Sequence, residues 1–391
     1  MDIKHGLISC DSHAQEHPAV WTSRMSKAKW GDRIPQLVET NDRAAMDIPI
    51  DYPVQRWTID NQVTYRRGTA NCPTAMEDPL RKTFPHRWDD VPQFVYDPKE
   101  RLLAQDRDRI DAEVLFPNYG GADGDGFATL ESGLEMECVR AYNDFLVEEW
   151  LSVSDRYVPI AILPYGSGID ATVAEAIRAV KMGHKGIVML SEPSQQGTGL
   201  SHINDRHWDP LWAACQEMDV PVHFHAEGGM NKLSMGDWDG YTRNQFQAMW
   251  PSGSFSLQAQ VMPNLIFSGI LDRFPNLQVV CAETGLGWVN FILEACDHEW
   301  EKHHLWTEGV IQRPSEAFHR QVHINFWFER AGVEQRHAIG LDNIMWESDF
   351  PHATSTWPDS WSFVERSLEG VSEAERFPMM AGNAVKLYKL V

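Results

Sequence analysis

Leu7-Ile8-Ser9-Cys10-Asp11-Ser12-His13 is a short run of branched and small residues that ends on an acid and an imidazole two positions apart. Its length and composition suit a buried strand of a parallel sheet. Alternate strand residues point to one face, so Asp11 and His13 project together. Seven further runs of this kind follow: Glu113 to Asn118, Tyr157 to Pro164, Lys185 to Leu190, Val220 to Ala226, Leu277 to Glu283, Gln321 to Phe328 and Asn343 to Asp349. Amphipathic stretches separate them. Gly133 to Val153 sets Glu135, Glu137, Asn143, Asp144, Glu148 and Glu149 against Leu134, Val139, Phe145 and Leu146, and further helices are expected to begin near Ile169, Trp208, Asn244, Leu286, Val333 and Asp359. The pattern predicts the α/β class and, within it, a (β/α)8 TIM-type barrel. An open doubly wound sheet usually has fewer strands and a Gly-rich first turn, which this chain lacks.

The 391 residues are read as one domain, 1–391, interrupted by an insertion from Ser26 to Pro98 that is dense in Pro, Asp, Arg and Trp. Long ordered connections in barrels tend to build the active site, so this insertion is expected over the C-terminal mouth. A formal charge of −22 disfavours nucleic acid and anionic lipid as partners. No stretch approaches the roughly 20 apolar residues of a membrane span. The start, Met1 to Gly6, lacks the basic and apolar pattern of a signal peptide, which points to the cytoplasm. Six cysteines form no C-x-x-C pair and read as packed thiols.

The chemistry gathers at predicted strand ends. Asp11 and His13 form one two-ligand arm; carboxylate oxygen and imidazole nitrogen suit Zn²⁺, Mn²⁺ or Fe²⁺. On the fifth strand His223 and His225 share a face. His225, nearer the end, is the better ligand, whereas His223 suits packing or a substrate contact. The eighth strand ends Glu347-Ser348-Asp349-Phe350-Pro351-His352, where a buried acid needs a cation or donors. At the sixth, Glu283 precedes a glycine turn and could act as a general base, orient a ligand histidine or cap the following helix. Arg56, Arg66 and Arg67 in the insertion could bind a substrate carboxylate. Trp57, with Trp250, Trp288, Trp327, Trp346 and Trp357, could wall a pocket for a flat substrate.

Three stretches carry a resemblance: Asp11 to Glu16; Ser268 to Leu277 running on to Ala282-Glu283-Thr284-Gly285-Leu286-Gly287-Trp288; and Met345 to His352. With these the sequence resembles the amidohydrolase-related group that includes aminocarboxymuconate-semialdehyde decarboxylase, from Leu7 to Tyr388. The resemblance implies a distorted (β/α)8 barrel, often a homodimer, holding one divalent ion, zinc first and manganese sometimes. It implies Asp11, His13, His225 and Asp349 as ligands. One departure stands out. Where characterised decarboxylases of the group carry a histidine in a His-Gly-Gly-like turn, this chain has Glu283.

The leading reading is therefore a hydrolase of a small cyclic or aromatic carbonyl substrate. In it Asp349 and Glu283 accept the proton of an activated water and His352 protonates the leaving group. The alternative is non-oxidative decarboxylation of an aromatic or unsaturated acid, with Glu283 or His352 as proton carrier. A third is a barrel that binds a small molecule without turnover.

Overall fold

Seven buried residues, Ile8–Ala14, form β1 in the computed structural model, which describes residues 1–41, 53–63, 69–76, 84–196, 199–226 and 243–391. The other strands are β2 (Gln36–Thr40), β3 (Val54–Ile59), β4 (Gln62–Val63), β5 (Ala112–Pro117), β6 (Tyr157–Pro159), β7 (Ile187–Val188), β8 (Val222–His225), β9 (Val279–Ala282), β10 (Val322–Phe326) and β11 (Ile344–Trp346). Each of the eight runs expected from the sequence holds one of the parallel strands. Helices cover the intervals between most of them, including Pro98–Asp108, Ser132–Phe145, Ile169–Met182, Asp209–Met218, Gln258–Phe267, Val289–His303 and Pro314–Gln321.

The parallel strands make two sheets, ordered β1-β5-β6 and β11-β10-β9-β8-β7. The sheets meet at both edges through single bridges, Ala161 to Ile187 and Ser12 to Phe350. The eight parallel strands thus form an α/β arrangement in two sheets, without the continuous ladder of the expected closed barrel. The seam between β6 and β7 is thin for a local reason. β6 ends on Pro159, which has no N–H to donate, and β7 has only two residues. Backbone bonds still cross both seams: Val188 N donates to Ala161 O at 2.9 Å, and His13 N donates to Phe350 O at 2.7 Å.

Alternation along the strands separates two apolar layers. Val279 and Cys281 of β9 pack with Leu265, Leu293 and Phe318 from the helices, while Val280 and Ala282 join Ile8, Cys10 and Val188. β1 departs from simple alternation. Its pairing with β5 steps from Ser9–Glu113 to Ser12–Leu115, so one extra residue bulges out just where Asp11 lies. Bulges of this kind re-aim side chains beside functional sites.

The described parts of the segment from Ser26 to Pro98 are more ordered than its weak periodicity suggested. They contain the antiparallel sheet β2-β3-β4, in register from Gln36–Thr58 to Thr40–Val54. Next comes the helix Pro98–Asp108, started by Asp97, whose side chain accepts from the N–H groups of Lys99 and Glu100. Among the described residues, no helix is long and apolar enough to cross a membrane.

Candidate metal centre

At the end of β1, Asp11 and His13 are fully buried. His13 Nδ1 lies 2.8 Å from the carbonyl of Pro117 at the end of β5. That carbonyl can only accept, so Nδ1 carries the proton and Nε2 keeps its lone pair. Burial, reinforced by the neighbouring His352, lowers the His13 pKa and keeps the ring neutral, the form a metal ligand requires. Nε2 stands 3.5 Å from Asp11 Oδ1 and 3.4 Å from Asp349 Oδ1.

His225 closes the other side, its Nε2 3.5 Å from Asp11 Oδ2. Asp349 follows β11 in the left-handed region, φ +55°, and its N–H donates to Asp11 O at 2.9 Å. That bond joins the two acid-bearing segments directly. Asp349 Oδ2 accepts from the Thr354 hydroxyl. The ligand atoms fall into two overlapping triads, Asp11–His13–His225 and His13–Asp349–His352, each within 4.8 Å.

These atoms fit a cation. Both carboxylate oxygens of Asp11 and Nε2 of His13 are buried and make no hydrogen bond. Buried polar atoms almost always find partners, and an unpaired carboxylate in the interior is costly. Two carboxylates and two imidazoles are a donor set for a borderline divalent ion such as Zn²⁺ or Mn²⁺.

His352 stacks on His13, with ring centroids 4.0 Å apart, and its Nδ1 is 2.7 Å from Asp349 Oδ1. Burial alone would push the Asp349 carboxyl up, but the charge of His352 and its hydrogen bond outweigh it and hold the group ionised. The far nitrogen of His352, Nε2, lies 2.8 Å from Asn71 Nδ2 and 2.7 Å from Asn118 Oδ1. One amide donates when Nε2 is bare and the other accepts when it is protonated. Beside them is a small cavity, partly open to solvent, lined by Gln15, Trp57, Thr69, Ala70, Asn71, Asn118 and Tyr119.

The other expected residues fall in varied places. Trp57 stands in the cavity wall, 4.5 Å from the Tyr119 ring, with its indole N–H on Thr69 O. Glu283 sits behind His225, Oε2 3.5 Å from Nδ1, the nitrogen facing away from Asp11. That position suits orienting the ligand ring rather than serving as a base. His223 corrects one expectation: its nitrogens bond Ile187 O and the Tyr388 hydroxyl, each at 2.9 Å, which leaves nothing for a substrate. Arg66 and Arg67 lie outside the described residues.

Several residues escaped the sequence reading. Glu347 is fully buried next to Asp11 and accepts the Glu283 N–H at 3.0 Å; burial and Asp11 push its carboxyl well up, towards the neutral form. Its spacing of two from Asp349 was the available signal. Arg101, also fully buried, donates to the carbonyls of His13 and Phe350 and so ties together the segments that carry Asp11 and Asp349. Nothing in its local sequence marks that role.

Residues 51–390 match the pattern of the amidohydrolases. The chain belongs to the amidohydrolase family. It is an enzyme of the hydrolase or carboxy-lyase kind, as the resemblance read from the sequence implied, and the non-catalytic alternative loses its basis. Within the family the chain is 25% identical over 317 residues to the gamma-resorcylate decarboxylase of Rhizobium sp. (strain MTP-10005), covering 78% of this chain and 90% of that protein. An amidohydrolase structure from Mycobacterium avium subsp. paratuberculosis K-10 superposes with a TM-score of 0.74 at 22% identity, over 99% of this chain and 100% of that one. A dihydroxybenzoic acid decarboxylase of Polaromonas sp. JS666, solved with manganese and the inhibitor 2-nitroresorcinol, gives 0.61 at 21% identity, over 78% and 89%. These relatives favour decarboxylation over the hydrolysis first expected. They support a divalent metal, and the one with a bound ion holds manganese rather than the zinc put first.

Proposed function

We propose that this amidohydrolase is a non-oxidative decarboxylase of a small hydroxylated aromatic acid, working at a (β/α)8 mouth that the segment from Ser26 to Pro98 covers. The carrying observation is the His352–Asp349 pair, at 2.7 Å, which stands against the Asp11–His13–His225 cluster on one side and an aromatic-walled cavity on the other. The decarboxylase relatives supply the reaction class; the pair supplies the acid that this reaction needs.

Asp11, His13, His225 and Asp349 would hold a divalent ion, manganese or zinc. Such an ion would supply Lewis-acid stabilisation of the negative charge on the substrate. The chain's own groups do the proton work. His352 keeps a proton on Nδ1 against the ionised Asp349, while Asn71 and Asn118 hold the ring from behind. As the bond from ring carbon to carboxyl carbon breaks, its electron pair stays on the ring carbon. That carbon takes the proton from His352 by way of Asp349, CO₂ leaves, and solvent restores the proton. Trp57 and Tyr119 exclude water from one face of the cavity. His225 is steadied by Glu283, which fills the role of an orienting carboxylate.

The test is turnover of a panel of mono- and dihydroxybenzoates by manganese-loaded protein, with CO₂ and the arene both measured. Equal amounts of the two, lost in His352→Gln, support the proposal. Hydrolysis of lactones or amides with no CO₂ from any benzoate would overturn it in favour of the hydrolase.

A further inference from the structure

We infer that Gln15 and Glu16, which directly follow the Asp11–His13 arm, are positioning residues that set the two amides gripping His352 and the cavity wall beside them. The inference rests on the proposed decarboxylase reading only in that His352 is taken as the proton carrier.

Glu16 is fully buried, and among the described residues no Lys, Arg or His pairs with it. Its Oε1 accepts the Asn118 N–H and its Oε2 the Tyr119 N–H, both at 3.0 Å. Two successive backbone donors are thus held by the two oxygens of one carboxylate, fixing the turn after β5. That turn delivers Asn118 to His352 Nε2 and Tyr119 to the Trp57 ring. An amide could not do the same, because glutamine has one oxygen and would set its NH₂ against one of the N–H groups. Gln15, 2% exposed, works on the opposite wall. Its Oε1 accepts the Asn71 N–H at 2.9 Å, and its own N–H donates to Val95 O at 3.1 Å. Both grips on His352 therefore trace back to two adjacent residues just past the strand that carries the metal arm.

Burial supports the reading. It pushes the Glu16 carboxyl up to about 8 despite the N–H bonds it accepts. An acid is unfavourable here, and a chain selected for stability alone would do better with an apolar residue and a differently closed turn. The turn it holds is the one that meets His352.

The experiment compares Glu16→Ala, the conservative Glu16→Asp and Gln15→Ala with wild type, manganese-loaded for turnover and loaded with diamagnetic zinc for the ring resonances. Three quantities are read: bound manganese, the His352 ring resonances assigned with His352→Gln, and kcat and KM for a dihydroxybenzoate. Glu16→Ala is expected to keep its manganese, to shift the His352 signals and to lower kcat by about ten- to a hundredfold with a smaller change in KM. Glu16→Asp should recover part of both. His352 signals and kcat within about twofold of wild type in the metal-loaded Glu16→Ala protein would overturn the inference. If Glu16→Ala does not fold, Gln15→Ala, which frees only Asn71, is judged by the same criteria. If the wild type releases no CO₂, the decarboxylase reading fails by itself and the His352 signals alone decide: moved, they support the positioning role; unmoved, they refute it.

Discussion

Arg101→Met should loosen the site without touching any ligand. Arg101 Nε pairs with buried Glu113 at 2.8 Å, and its Nη2 donates to the carbonyls of His13 at 3.3 Å and Phe350 at 3.1 Å, with the guanidinium 3.9 Å from the Phe350 ring. Breaking a buried ion pair by removing one partner costs about 3–5 kcal/mol. The lower end applies, because Gln105 still donates to Glu113 at 2.7 Å. The His13 carbonyl loses a charged donor, which adds about 1 kcal/mol, whereas Phe350 O keeps the His13 N–H. The expected loss is therefore about 4 kcal/mol, a large part of the roughly 5–15 kcal/mol typical of a domain. Urea unfolding of the single variant and of Arg101→Met/Glu113→Gln measures it. The double variant, with no orphaned charge, should regain all but about 1–2 kcal/mol. Because the staple aligns the segments bearing Asp11, His13 and Asp349, manganese affinity of the folded single variant should fall about 10- to 100-fold. A single variant within about 1 kcal/mol of wild type, or a double no more stable than the single, would refute the reasoning.

Two further outcomes follow from the same geometry. Glu283→Gln should weaken manganese binding by about 10- to 100-fold yet leave kcat at saturating metal within a few-fold, since Glu283 acts through His225; a drop of about a hundredfold at full loading would make it a base instead. Burial lowers His184 from 6.5 to about 4, with its Nε2 on Asn143 O at 3.0 Å. The unfolded chain takes that proton below about 6.5 and the folded one only below about 4, so this contribution is full above 6.5 and lost as pH falls through the window, by up to about 1.4 kcal/mol per pH unit. Urea unfolding at several pH values should show a shallower decline in His184→Gln, and an unchanged slope would count against the assignment.

The strands were legible because burial on both faces demands branched runs, and Leu7 to His13 or Val220 to Ala226 cannot be read otherwise for long. Acids and histidines at their ends stood out because such groups are rare beside apolar residues. His223 misled for the same reason: spacing puts it on the face of His225, but only the partner atoms, Ile187 O and the Tyr388 hydroxyl, reveal a packed ring. The bulge in β1 left no mark in the sequence, since it depends on the pairing with β5. Nor did Asn71, Asn118, Glu16 or Arg101, whose roles arise from contacts 56 to 281 residues apart along the chain. Polar residues in turns have no periodicity to betray them. The seams between the two sheets were hidden too, because strand length near Pro159 and Ile187 depends on backbone pairing more than on composition.

The most direct test is turnover of a dihydroxybenzoate labelled at its carboxyl carbon, followed before chelation, after it and after manganese is restored. The account predicts labelled CO₂ in step with arene, abolished by the chelator, regained with the metal and absent throughout in Asp11→Asn. Label release that survives complete removal of metal, or that persists in Asp11→Asn, would contradict it.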